Sequence, residues 1–147
     1  MAVVGGGPAG LMAAVAAAAQ GARVTLFERM EGTGRKLLAT GGGRCNLTTT
    51  VPRAALLAAF GRRGRFAAPA LEAFGPEAIR TFFAREGVPT VAQDDGCVFP
   101  ASQRAADVLA ALQRVAERQG VRLVCGARVE RVAETPGGGL ACRIASG

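Results

Sequence analysis

The clearest sign of chemistry in the sequence comes from three glycines near the start of the chain and one acid further on. Gly5, Gly7 and Gly10 form the spacing Gly-x-Gly-x-x-Gly, and Glu28 follows 18 residues after the last of them. Glycines at this spacing allow a tight turn, a close approach of the backbone to a pyrophosphate, and close packing of a helix on a strand. A carboxylate about 20 residues further on can accept hydrogen bonds from an adenosine ribose. This set predicts an adenine dinucleotide site; a purely structural strand–helix turn is the alternative.

The charge of Glu28 also bears on which dinucleotide is bound. A carboxylate at this position would repel the 2′-phosphate of NADP and therefore argues against that cofactor. Arg29 follows directly. Because its positive charge could compensate, this exclusion is only partial.

A second glycine-rich segment, residues 34–48, reads GRKLLATGGGRCNLT and combines three successive glycines with three cations. Backbone without side chains can offer its amides as hydrogen-bond donors to an anion. Lys36, the only lysine of the chain, lies in this segment. We therefore predict a loop that wraps an anionic cofactor; a flexible surface loop is the alternative.

The first glycine motif is flanked by elements that would position it at the end of a strand. Residues 2–4 predict a short buried strand, residues 9–20 are strong helix formers ended by Gly21, and residues 22–27 predict a second strand. Strand, turn, helix and strand thus form a complete βαβ unit within 28 residues. Residues 29–50 have no apolar period, so we predict a long loop there.

The rest of the chain predicts a small helical segment and further strands. In chain order the predicted elements are helices at 54–60, 67–74 and 76–86 within a helical segment at about 52–87, a hairpin around the turn 94–96, a helix ending at Gln119, and strands at 121–125, 127–133 and 140–145. Ser102 is predicted to cap the last helix. The apolar run 121–125 is predicted to be a third parallel strand beside the first strand, and the last two strands form an antiparallel pair.

Length and charge narrow the class of protein. A chain of 147 residues is long enough for one domain with a hydrophobic core. The net charge of +7 comes almost entirely from arginine, and the arginines are spread along the chain with little aromatic interleaving. We therefore predict a generally basic surface and no nucleic-acid partner. The longest apolar run, residues 9–19, is too short to span a bilayer, so no membrane association is predicted.

The cysteines and the absence of histidine restrict the chemistry of the chain. Cys45, Cys97, Cys125 and Cys142 have no metal-ligand spacing, so we predict free thiols, no metal site and a cytoplasmic location. Without histidine, the chain lacks the usual base of neutral pH. The chemistry is therefore expected to come from a cofactor.

The two glycine motifs together carry a family resemblance. GGGPAGLMAA followed by an acid, and then GRKLLATGGGRCNLT, resemble the BaiN-like flavoproteins, also called aminoacetone-oxidase-type FAD-binding enzymes. The segment Gly96–Ser102 is similar to a third motif of this family, although Cys97 stands where arginine is usual. At the end of the second motif, Thr49 stands where the family has asparagine. The resemblance covers nearly the whole chain but only about the first third of a family member.

The resemblance implies a fold and a set of cofactor-binding residues. The fold is an α/β Rossmann-type FAD-binding fold, with a parallel sheet and a β-meander, expected to be incomplete at the C-terminus; residues 1–147 would be the N-terminal part of the FAD/NAD(P)-binding domain. The implied FAD contacts are Gly5, Gly7, Pro8, Ala9 and Gly10 at the pyrophosphate, Glu28 at the ribose, Arg35, Lys36, Gly41, Gly42, Gly43, Arg44, Cys45 and Asn46 along the second loop, and the backbone of Val129 near the adenine.

The resemblance further implies an FAD-dependent oxidoreductase that transfers hydride through the flavin. Its partner would be a small organic substrate, with NAD(P)H as a possible electron donor. A disulfide reductase is not expected, because Cys45 has no neighbouring cysteine, and we interpret Cys45 as a structural thiol. The alternatives are a nucleic-acid-associated flavoprotein resembling tRNA-modifying enzymes and a truncated product without catalysis. The sequence assigns neither catalytic residues nor an oligomeric state.

Overall fold

The computed structural model describes residues 1–145 of the chain. In chain order the elements are β1 (Ala2–Val4), α1 (Pro8–Ala19), β2 (Thr25–Phe27), α2 (Arg35–Ala39), a 3₁₀ helix (Thr40–Gly43), β3 (Thr48–Thr49), α3 (Arg53–Ala59), a 3₁₀ helix (Gly61–Arg63), α4 (Gly64–Ala73), α5 (Pro76–Arg85), β4 (Thr90–Ala92), β5 (Cys97–Pro100), α6 (Ala105–Arg118), β6 (Arg122–Val124), β7 (Val129–Glu134) and β8 (Leu140–Ile144). They form two compact units, one of Met1–Leu37 with the chain from Leu112 onward, the other of Leu38–Ala111.

The first unit is built on a parallel sheet with the strand order β1-β2-β6. Its central strand carries Leu26, which is fully buried and pairs with Val3 on one side and Leu123 on the other. Burial alternates along β1 and β2, where only Val3 and Leu26 are buried, so the core of this unit lies on one face of the sheet. The α/β Rossmann fold is therefore confirmed, and β7 and β8 add a separate antiparallel pair to this unit.

Helix α1 has the start and the end that its sequence specifies. Pro8 is the first helical residue, where its missing N–H costs nothing. At the other end Gly21 has φ +83°, its N–H donates to Ala18 O, and the N–H of Ala22 donates to Ala17 O. This pair of bonds is a Schellman motif, which explains why the helix stops before the predicted glycine.

The second unit contains helices and a small antiparallel sheet with the order β3-β5-β4. The predicted hairpin is confirmed: β4 and β5 pair through the register Val91–Phe99. Helices α3, α4 and α5 match the predicted helical patterns to within three residues at their starts. Phe83 of α5 is buried, and its ring packs edge-on against Phe82.

Three predictions about local structure are wrong. The predicted long loop at 29–50 contains α2, a 3₁₀ helix and β3; α2 is made of good helix formers, but its five residues are too few to show a period. Ser102 does not cap α6, because Gln103 adopts φ +57° and donates to Pro100 O, and the helix begins only at Ala105.

The third wrong prediction concerns strand order. The strand β6 pairs with β2 and not with β1. Successive right-handed crossovers that step in the same direction place the third strand beyond the second, as in one half of the common dinucleotide-binding order. An apolar run indicates a strand but does not indicate which neighbour it pairs with.

Candidate dinucleotide-binding site

The turn between β1 and α1 requires glycine at two positions. Gly5 has φ +99°, a conformation that L side chains rarely adopt, and its N–H donates to Phe27 O at 2.8 Å. A Cβ atom on Gly10 would overlap the carbonyl oxygen of Gly5. The first turn of α1 therefore lies directly on the backbone that leaves β1.

The N-terminus of α1 has the properties of an anion-binding site. Gly7 is the N-cap residue, so no side chain accepts a hydrogen bond from the first amides, and the first turn contains no acid. A Cβ on Gly7 would meet nothing within 4 Å. Uncapped amides at a helix N-terminus, together with the helix dipole, favour a negatively charged ligand.

Glu28, which directly follows β2, lies against the same turn. Its Oε2 accepts a hydrogen bond from Gly6 N–H at 2.6 Å, and its Oε1 accepts one from Met30 N–H at 2.8 Å. Partial burial raises the pKa of this carboxyl. Hydrogen bonds from the amides of Met30, Gly6 and Arg29, together with the charge of Arg29, outweigh this effect and hold the pKa below its usual value. Glu28 is therefore ionised at neutral pH, and its remaining lone pairs can accept hydrogen bonds from hydroxyl groups.

A cleft of about 290 Å³ opens where β1, β2 and the start of β7 meet. The residues that line it are Val4, Gly5, Phe27, Glu28, Arg29, Ala127, Arg128 and Val129. The structure thus brings Gly5, Glu28 and Val129 together, three residues proposed from the sequence for one cofactor. Ligands of open α/β sheets bind at the carboxyl ends of the strands, which is where this cleft lies.

The sequence did not reveal the residues after β2 that support the turn between β1 and α1. The carbonyl of Gly6 accepts a hydrogen bond from Gly34 N–H at 2.8 Å. Thr33 is buried and its hydroxyl accepts a hydrogen bond from the Gln113 side chain at 2.9 Å. No local pattern links residues separated by 28 or 80 positions, so the sequence offered no signal for these contacts.

The second glycine motif folds within the second unit from Leu38 onward. Gly41, Gly42 and Gly43 all have positive φ, which only glycine adopts without cost. The guanidinium carbon of Arg44 lies 4.3 Å from the centre of the Phe99 ring, and Asn46 Oδ1 accepts a hydrogen bond from Val98 N–H at 3.3 Å. These two side chains therefore hold the loop on β5.

Arg35 and Lys36 belong to the first unit. The guanidinium of Arg35 contacts Met30 Sδ at 4.0 Å. Arg35 and Lys36 are both exposed at the start of α2. The cofactor contacts of Arg35, Lys36 and the loop to Asn46 remain predictions from the resemblance.

Cys45 has the environment of a structural thiol. It is buried, it adopts φ +65°, and its N–H donates to Thr40 O at 3.1 Å. Burial raises the pKa of its thiol, an effect that a side-chain hydrogen bond with Thr40 only partly offsets. A protonated, buried thiol is a poor nucleophile.

We expect Cys45 to react slowly with thiol reagents. Because only the thiolate attacks, labelling by iodoacetamide near neutral pH should be on the order of tenfold slower at Cys45 than at Cys125, whose residue is exposed. Peptide mass spectrometry after timed labelling measures both rates in one sample. Equal rates in the folded protein would contradict the structural assignment, and equal rates after denaturation serve as the control.

The part of the chain that the structure describes offers neither a metal site nor a membrane-spanning helix. Within residues 1–145, no group of three or more cysteine, aspartate or glutamate side chains is placed to hold a metal ion. In the same range, no helix combines the length and the apolar character needed to cross a bilayer.

Comparison with known proteins agrees with this geometry. Residues 1–146 match the model of the HI0933-like protein Rossmann domain. A 3-dehydro-bile acid delta(4,6)-reductase of Clostridium scindens is 40% identical over 130 residues, which are 87% of this chain. The match covers 31% of that reductase, so the chain spans about a third of the length of this curated relative.

Solved structures share the fold. THI4 of Thermovibrio ammonificans matches with a TM-score of 0.59 and 20% identity, over 97% of this chain and 44% of that one. The 3-ketosteroid-delta4-(5alpha)-dehydrogenase of Rhodococcus jostii RHA1 matches with a TM-score of 0.56 and 20% identity, over 97% and 41%. At this level of identity the likeness shows the fold alone.

The match over 1–146 and the identity to the reductase confirm the family resemblance that the two glycine motifs indicated. The chain belongs to the family of HI0933-like Rossmann-domain proteins.

Proposed function

We propose that the chain binds the ADP part of FAD and serves as the dinucleotide-binding part of an oxidoreductase. The observation that carries this proposal is the position of the ionised Glu28 carboxylate, which is hydrogen-bonded to Gly6 N–H beside the uncapped start of α1. One group suits ribose hydroxyls and the other suits a pyrophosphate. An adenine dinucleotide presents both groups.

The residues present fit this cofactor. The absence of side chains at Gly5 and Gly7 leaves a cradle at the helix start, Gly10 lets α1 lie against Gly5, and Pro8 and Ala9 complete the first turn. We assign these five residues to the pyrophosphate. We assign Glu28 to the ribose and the backbone of Val129, which lines the same cleft, to the adenine.

The choice of FAD rests on the second glycine motif and on the family. When bound, FAD would supply hydride transfer through its flavin ring. The curated relative is named a reductase, and this supports a redox role for the family. We propose a small organic substrate and NAD(P)H as the electron donor. We also propose that residues 1–147 belong to an FAD/NAD(P)-binding domain.

A cofactor titration tests the proposal. Purified chain is titrated with FAD, ADP and FMN, and binding is followed by isothermal calorimetry and by flavin fluorescence. We expect saturable binding of FAD and ADP and much weaker binding of FMN, because FMN lacks the adenosine that the cleft would hold. If neither FAD nor ADP binds to chain that is folded by circular dichroism, the proposal is wrong.

A further inference from the structure

Arg128 lies at a point where the backbone is fixed from two sides. The N–H of the preceding Ala127 donates to Glu28 O at 2.8 Å, and Arg128 O accepts a hydrogen bond from Ala145 N–H at 2.8 Å. The first bond ties this segment to the end of β2, and the second ties it to the strand pair β7–β8. The Cα atom of Arg128 is therefore held at the edge of the cleft, so that less backbone conformational entropy is lost when a ligand binds.

The Arg128 side chain is exposed and has no protein partner in the part of the chain that the structure describes. No hydrogen bond or ion pair of its guanidinium occurs within residues 1–145. The acid that lines the same cleft, Glu28, already accepts two backbone amides, and the cation whose charge acts on it is Arg29. Arg128 is thus a cation at the cleft that structural ion pairing does not explain.

The parts of an adenine dinucleotide can be assigned to this cleft by their chemistry. The uncapped amides of α1 suit the pyrophosphate, and the Glu28 carboxylate suits the ribose. The adenine base is the part not yet assigned, and Val129 and Phe27 on the walls of the cleft offer apolar contact to it. A guanidinium is planar and stacks on aromatic faces, where the positive charge adds a cation–π attraction.

We propose that Arg128 is a ligand-binding residue that stacks its guanidinium on the adenine of the bound cofactor. This inference rests on the proposed binding of an adenine dinucleotide. It adds a side chain to a subsite for which the family resemblance implied only the backbone of Val129. It also gives a reason for a second cation beside Glu28: a guanidinium adds a positively charged stacking partner to the apolar contacts that Phe27 and Val129 offer.

The test compares three variants by calorimetric titration of ADP into the full chain. Arg128→Ala removes the guanidinium, Arg128→Lys keeps the charge but loses the planar group, and Arg131→Ala removes an exposed arginine of β7 that does not line the cleft. We expect the Kd for ADP to rise about tenfold in R128A and to stay raised in R128K. R131A should bind ADP like the wild type, and the loss in R128A should persist at high salt.

Three results would overturn the inference. An unchanged Kd in R128A means that Arg128 does not contact the ligand. Full rescue by R128K, with a loss that disappears at high salt, assigns Arg128 to a phosphate instead of the base. Failure of the wild type to bind ADP and FAD overturns the proposed function itself, and this is seen before any variant is compared. Circular dichroism of each variant establishes that it is folded.

Discussion

Replacing Gly10 with alanine is expected to destabilise the fold and to abolish dinucleotide binding. The new Cβ would overlap the carbonyl oxygen of Gly5, which is backbone and cannot rotate away. Moving α1 off the strand turn should cost about 2–3 kcal/mol of the free energy of unfolding, as other overpacking substitutions do. This corresponds to a fall in Tm of roughly 5–10 °C for a chain of this size, measurable by thermal denaturation followed by circular dichroism.

Gly7→Ala is the matched control for this prediction. Gly7 has φ −75°, which any residue adopts, and its Cβ would meet no protein atom within 4 Å. The free energy of unfolding should therefore change by less than about 1 kcal/mol, whereas the affinity for FAD should fall because the methyl group occupies the approach of the pyrophosphate. If Gly10→Ala were as stable as Gly7→Ala, the close packing of α1 on Gly5 would be wrong.

The second large effect is expected for Glu28→Gln. The amide cannot accept hydrogen bonds from Gly6 and Met30 on both sides, because one of its two terminal atoms is a donor. It also lacks the charge that strengthens a hydrogen bond from a ribose hydroxyl. We expect the Kd for FAD to rise about 10-fold to 100-fold in a fluorescence titration. Glu130→Gln, an exposed acid of β7 that does not line the cleft, should bind like the wild type.

The stability of the wild type should also depend on pH through Glu28. Its pKa in the folded chain is lowered from the usual 4.5, so the carboxylate stabilises the fold above that pH, and the contribution is lost as the pH falls through the folded value. The difference in Tm between the wild type and Glu28→Gln should therefore be larger at about pH 6 than at about pH 3. A difference that does not change with pH would contradict the role of the ionised carboxylate.

Some elements could be predicted from residues that are close together in the sequence, and others could not. The alanine-rich α1, with Pro8 at its start and Gly21 after its end, is specified by residues next to one another. Helix α2 is specified in the same way by its helix formers, but its single turn is too short to produce a repeating apolar pattern. Ser102 illustrates the opposite error, because a good capping residue is overridden by the turn that Gln103 forms with Pro100.

The candidate site also combines features that the sequence predicts with features that only the folded structure reveals. The spacing of Gly5, Gly7 and Gly10 and the position of Glu28 predict the candidate site, because each residue type meets a requirement of the proposed ligand or of the turn. The bonds of Glu28 to Gly6 and Met30 could not be inferred in this way. A side chain has several rotamers, and only the packed structure selects the one that meets both amides.

By itself, the sequence determined that this protein contains a βαβ dinucleotide motif, a second glycine-rich loop and the marks of one family. These features depend on residue type and short spacing, which the chain carries before it folds. Only the tertiary structure decided that β6 pairs with β2 and that Val129 and Arg128 share a cleft with Glu28. Contacts between residues about 100 positions apart depend on strand order and register, and many arrangements of the same strands bury the same apolar residues.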